Sequence, residues 1–169
     1  RMRLVGSEMC IRDRETGFHN LAIVSSKNRY PRQGRKTALG LLGAGQMMFL
    51  KTIVAVNPEH DAKDLDLLLD ALDSKVEISE DLVVLPGMVA DSLAHASPWE
   101  NIHDKLLIDA TSPVEGDPRS LRAPLVGCPD SLEVSASGID GVVQARMLRS
   151  SMLVVTTDIE GGPSPSENV

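Results

Sequence analysis

The chain is expected to fold as a layered α/β domain, with a mostly parallel sheet flanked by helices, and three observations carry that expectation. Short continuous apolar runs at 21–24, 53–56 and 106–108 have the length and β-branched content of strands buried on both faces. Between the first two of these runs and the third, leucines at 65, 68, 69 and 72 repeat at helical spacing. An order of strand, helix, strand, helix, strand calls for parallel crossovers.

Taken in order, "FHNLAIVSS" supplies the first strand. Pro31 suits a first helical turn, and Ala38, Leu41, Leu42 and Gly45 fall at helical spacing, so a helix is expected over about 31–47. Gly43 and Gly45 weaken its last turns and let the helix approach the sheet, while Met47 and Met48 fill core gaps. "KTIVAV" is the second buried strand. Asp61 is a candidate cap for the leucine-rich helix, which buries Leu65, Leu68, Leu69 and Leu72 and turns Asp and Lys outward. "EDLVVLPG", "KLLIDAT" and "SSMLVVTT" are further strands, and "DGVVQARMLRSS" reads as a short helix. No internal repeat is evident.

Bulk properties narrow the classes. The 169 residues are 42% hydrophobic, yet no apolar run approaches the roughly 20 residues needed to span a bilayer, so a soluble protein without a transmembrane segment is expected, and a count of two cysteines fits a reducing, cytoplasmic setting. A formal charge of −7 offers no basic face for a phosphate backbone, which argues against nucleic acid as a partner. Cys10 and Cys128, far apart and outside any C-x-x-C pair, argue against a disulfide scaffold and a zinc site. Aromatics make up only 2%, so Leu, Val, Ile, Ala and Met must build the core, and part of its packing surface is expected from a larger protein. Residues 1–14 resemble translated sequencing-adapter read-through and are set aside; the domain is expected over 15–158, with 159–169 a flexible or truncated end.

The motifs are less specific. "GLLGAG", Gly40 to Gly45, supplies glycines in number, but a dinucleotide loop must follow a strand and open a helix so that helix amides face the anion. Here the glycines close a helix and precede a strand, and the Gly-Lys-Ser/Thr of a P-loop is missing. Lys51, ahead of a buried strand, either snorkels to the surface or holds an anion. His19, His60, His95 and His103 show no metal-ligand spacing, and Ser97 lacks the context of a nucleophile elbow. Composition and spacing reach an α/β domain and name no reaction.

Four segments add more: "FHNLAIVSSKNRYPRQGRK", "GQMMFLKTIVAVNPEHDAKDLDLLLDAL", "DLVVLPGMVADSLAHASP" and "DKLLIDAT". Collinear from 18 to 111, they resemble the C-terminal domain of the UbiD family of decarboxylases. His103-Asp104 replaces the family's Gly-Ser, Leu107 replaces a glycine and "NPEHD" replaces a more acidic run, departures that bear on subfamily and substrate. The resemblance implies reversible, non-oxidative decarboxylation of an aromatic or α,β-unsaturated acid, with ubiquinone and menaquinone biosynthesis among the pathways served. It implies prenylated FMN, made by a flavin prenyltransferase, with Mn or Mg and K helping to hold its phosphate; the modified flavin takes up the electron pair released as carbon dioxide leaves. It implies a homo-oligomer as well.

The family's catalytic arginine and acidic residues lie in an upstream split-barrel domain, so no catalytic or metal-binding residue is assigned here and the chain is read as a fragment inactive alone. Gln46, Met47 and Lys51 match the family's wall of the cofactor cleft and are the candidate cofactor contacts, with Lys51 facing a phosphate or a substrate carboxylate. Lys105 and Asp109 either hold the loop after their strand or meet ligand. The rival readings are a non-catalytic α/β binding or oligomerisation module and, disfavoured by the placement of its glycines, a nucleotide-dependent enzyme.

Overall fold

In the computed structural model, residues 20–60, 64–92, 97, 99–122 and 131–157 are described. The chain divides into two compact units, residues 1–125 and 126–169. The first runs β1 (Leu21–Ser25), α1 (Gln33–Leu42), a 3-10 turn (Gly45–Phe49), β2 (Thr52–Val56), α2 (Leu65–Lys75), α3 (Ile78–Asp81), β3 (Leu82–Val89), β4 (Ile102–Asp109) and a second 3-10 turn (Pro118–Leu121). Its sheet has the order β1-β2-β4-β3. β2 pairs in parallel with both β1 and β4, as the expected crossovers require, and β3 lies antiparallel on β4 at one edge.

Strand alternation divides the core into two layers. On one face Ala22, Val24, Ile53 and Leu107 pack with Ala38, Leu41 and Leu42 of α1 and with Leu50. On the other, Ile23, Val54 and Val56 meet Leu68 and Ala71 of α2. A mostly parallel sheet covered by helices on both faces is the layered α/β architecture the apolar runs anticipate.

Several local expectations are corrected. The first helix stops at Leu42: Gly43 caps it, and Gly45 at φ 52° starts a separate 3-10 turn in which Gln46 and Met47 sit. Close approach to the sheet is made by Gly34, where a Cβ would stand 2.7 Å from Thr111 Cγ2 and 2.8 Å from Asp109 Oδ1; nothing lies within 4 Å of the corresponding positions at Gly40 and Gly45. α2 is capped by Asp64, whose side chain accepts from the Leu67 amide, and the proposed cap Asp61 lies outside the described residues. Leu65, at the first helical position, is exposed, and the buried seam runs through Leu68 and Ala71. β3 continues through Pro86 and Gly87, with an irregular register between Leu85 and Met88, as suits an edge strand that need not donate at Pro86.

The second unit contains α4 (Ser131–Ser137) and an antiparallel hairpin of β5 (Val142–Met147) and β6 (Leu153–Thr157). The short helix expected within 140–151 is instead β5: Gly141 at φ 82° turns the chain, and the β-branched Val142 and Val143 favour the ladder with β6. Glu133 of α4 accepts from the Met147 amide.

Candidate functional site

The three sequence-derived site residues gather on one short segment. Gln46 and Met47 lie in the first 3-10 turn, and Lys51 immediately precedes β2. Gln46 is exposed, while Met47 is half-buried and packs against the core layer under α1. Lys51 is also half-buried, and its carbonyl accepts from the Leu106 amide at 2.8 Å, tying the segment to β4. This places Lys51 one step before the ladder pair Thr52↔Leu106, and therefore beside Lys105.

Lys105, expected to hold the loop after its strand or to meet ligand, bonds the segment before β2. Only 1% exposed, it donates through Nζ to the Met48 carbonyl at 2.6 Å and the Leu50 carbonyl at 2.7 Å. It holds the segment before β2, not the loop after its own strand. Burial pushes its ammonium pKa down. Strand alternation puts His103, Lys105, Leu107 and Asp109 on one buried face of β4, an arrangement that the alternating apolar pattern of a half-buried strand does not foretell. The His103 ring donates from Nδ1 to the Asp104 carbonyl at 2.8 Å, and its buried Nε2 has no hydrogen-bond partner.

Asp109 bonds the turn after its strand. Its Oδ1 accepts from the Thr111 hydroxyl at 2.5 Å and the Thr111 amide at 3.2 Å, which fixes the turn leaving β4. Asn28 donates to Thr111 Oγ1 at 2.8 Å, and Asn57 Oδ1 accepts from the Ser112 amide at 2.6 Å. Open parallel sheets bind ligands most often at the carboxyl ends of their strands. Here the polar groups just named at those ends bond one another, with Asp109 Oδ2 making no hydrogen bond but lying 3.4 Å from Arg119 Nη1, while Gln46 and Lys51 lie at the opposite edge.

Beyond the carboxyl ends, an ion-pair network escaped sequence reasoning altogether. Arg119 donates to Asp117 Oδ2 through Nη2 at 2.8 Å and to the Thr111 carbonyl at 3.0 Å, with Asp109 Oδ2 3.4 Å from its Nη1. Asp81, fully buried, accepts from Arg32 at 2.9 Å and from Arg122, which also pairs with Glu80. Burial alone would raise the Asp81 carboxyl, but the bonds from Arg122 and the Glu77 amide outweigh it and hold the pKa down. Arg32 adopts φ 60° at the N-cap of α1, a conformation held by its pairing with Asp81 and Glu80. The partners are up to 85 positions apart, as between Arg32 and Asp117, so no local motif marks them. The network clamps α1, α3 and the second 3-10 turn together.

Of the histidines, His60 accepts at Nε2 from Lys75 at 2.7 Å, and His19 and His95 lie outside the described residues. Among the described residues no group of three His, Cys, Asp or Glu side chains could hold a metal ion. No described helix is long and apolar enough to cross a membrane. What the amino edge offers a flavin is one ammonium, Lys51, one amide, Gln46, and the apolar flank of Met47. That donor set suits the anionic edge of a cofactor or acid.

Comparison with known proteins places the chain. The model of the 3-octaprenyl-4-hydroxybenzoate carboxy-lyase C-terminal domain matches residues 13–110. An uncharacterized protein of Archaeoglobus fulgidus is 39% identical over 97 residues, covering 57% of this chain and 20% of its own length. A phenolic acid decarboxylase of Escherichia coli O157:H7 is 36% identical over 113 residues, 66% of this chain and 24% of its own. The chain thus spans about a fifth to a quarter of the length of these curated relatives. Among solved structures, the vanillic acid decarboxylase of Sedimentibacter hydroxybenzoicus superposes with a TM-score of 0.57 at 27% identity, over 68% of this chain and 25% of that one. The UbiD-class enzyme HmfF of Pelotomaculum thermopropionicum shares the fold at TM-score 0.54 and 16% identity, over 69% and 25% of the two chains. With a family model covering more than half its length, and the same fold in solved UbiD-class decarboxylases, the chain belongs to the UbiD carboxy-lyase C-terminal domain family.

Proposed function

We propose that this chain is the C-terminal α/β part of a UbiD-class decarboxylase that removes carbon dioxide from a phenolic or related aromatic acid. The family match over residues 13–110 carries the reading. Relatives named for phenolic acid and vanillic acid decarboxylation, both above 25% identity, favour a hydroxylated benzoic acid within the broader class of aromatic and α,β-unsaturated acids. The family reading includes prenylated FMN, supplied by a flavin prenyltransferase, as the electron sink for the departing carboxylate. It also includes a homo-oligomer, a cytoplasmic site of action, metal and potassium bound outside the residues described here, and the domain boundaries drawn at 15 and 158.

Within that enzyme, this chain's own contribution is binding and orientation. Lys51 pairs with an anionic group, a cofactor phosphate or the substrate carboxylate, and Gln46 adds an amide at the same edge. Met47 gives a polarizable apolar surface anchored in the core beneath it. A cation at such an edge, partly shielded from water, attracts an anion more strongly than a fully solvated one.

The test is to purify the full-length enzyme after co-expression with a flavin prenyltransferase, then record its absorbance spectrum and bound-cofactor mass. Bound prenylated FMN, with carbon dioxide released from hydroxybenzoic acids, is the expected result. A well-folded protein without flavin would remove the decarboxylase reading and leave a non-catalytic binding module.

A further inference from the structure

We infer that Lys105 is the positioning residue for the segment that carries Gln46, Met47 and Lys51: its buried ammonium pins the Met48 and Leu50 carbonyls and so fixes where the Lys51 ammonium stands. The inference rests on the proposed role of that segment, but its structural half can be tested apart from it.

A lysine that is 1% exposed is costly unless something compensates its charge. It donates to two backbone carbonyls, Met48 at 2.6 Å and Leu50 at 2.7 Å, the residues that bracket the end of the 3-10 turn. That turn needs an outside support. It starts with a glycine at φ 52°, the Met47 amide to Ala44 carbonyl and the Leu50 amide to Met47 carbonyl bonds tie its ends, and 3-10 geometry is weaker than α-helical. Core packing anchors Met47 and Leu50, and Lys105 reaches the Met48 and Leu50 carbonyls from β4. Only one residue separates Leu50, the second pinned carbonyl, from β2, and that residue is Lys51. Two carbonyls fixed on a rigid strand therefore leave Lys51 little freedom of backbone direction.

The experiment uses the full-length enzyme and three variants, Lys105→Met, Lys51→Met and the double variant, with FMN as the probe. Lys105→Met keeps the apolar stem and removes the donor. In hydrogen exchange read by mass spectrometry without ligand, peptides covering 43–51 should exchange about tenfold faster or more in Lys105→Met, with peptides from β1 and α2 unchanged. FMN affinity should fall by roughly tenfold in each single variant, and the double variant should be no weaker than Lys51→Met, because the two losses share one contact. Unchanged exchange at 43–51 overturns the inference. So does an FMN loss in the double variant equal to the product of the two single losses, since that is independent action. If the wild-type enzyme binds no flavin, the proposed function fails, and the exchange comparison still decides whether Lys105 holds the turn.

Discussion

Asp117 shows how much a single side chain contributes to the carboxyl edge of the sheet. It is buried, and although burial raises its pKa, bonds from the Arg119 side chain and amide bring it from 3.8 down to about 2. A carboxyl with a depressed folded pKa stabilises the fold at pH values above its unfolded pKa, and that contribution disappears as pH falls through the folded value. The shift corresponds to about 2 kcal/mol at pH 7, lost between about pH 4 and pH 2. Asp117→Asn should therefore lower unfolding stability by about 2 kcal/mol or more at neutral pH, and the gap to wild type should close on acidification in urea melts. Gly34 sets a steric limit at the same place. A methyl group there would press on Thr111 and Asp109, which are buried and bonded to each other and have no room to give. Gly34→Ala should cost about 1–3 kcal/mol, measured as a drop in denaturation midpoint at constant m-value.

Along α2, cap and seam act together. The Asp64 carboxylate accepts from the Leu67 amide, Asp66 follows in the first turn and Lys75 closes the last, all in the sense the helix dipole favours. Asp64→Ala should cost about 1 kcal/mol, and chemical denaturation would read it directly. This helix was the element most legible in the sequence, because its leucine spacing has no good strand alternative. Its start was less so, since Asp61 and Asp64 both precede the periodic residues and only geometry separates them. β1, β2 and β4 were legible as apolar runs, whereas 140–151 suggests a helix in sequence and holds β5, because two valines and interspersed polar residues fit either period. The site was legible only through family resemblance. Gln46, Met47 and Lys51 carry no spacing that chemistry alone requires, and the bonds that organise them come from Lys105, more than fifty positions downstream. The ion-pair network was invisible for the same reason, since Arg32, Asp81 and Arg119 meet only after the sheet has formed.

In the first unit, the two ends of the parallel strands carry different polar groups. At the carboxyl ends, Asn28, Asp109 and Thr111 bond one another while Asp81, Asp117 and their arginines clamp helices and turns, so that edge is committed to stability. At the amino ends, the 3-10 turn, Lys51 and Lys105 leave a cation and an amide on a braced backbone, which is what the anionic end of a cofactor or an aromatic acid needs. The most direct measurement is the amount of flavin retained per polypeptide by the full-length enzyme and by Lys51→Ala, purified side by side after co-expression with a flavin prenyltransferase. The account predicts a flavin-loaded wild type and roughly tenfold less retained flavin in the variant, as expected for loss of a charge-assisted contact. Equal retention and equal turnover in the two proteins would contradict it.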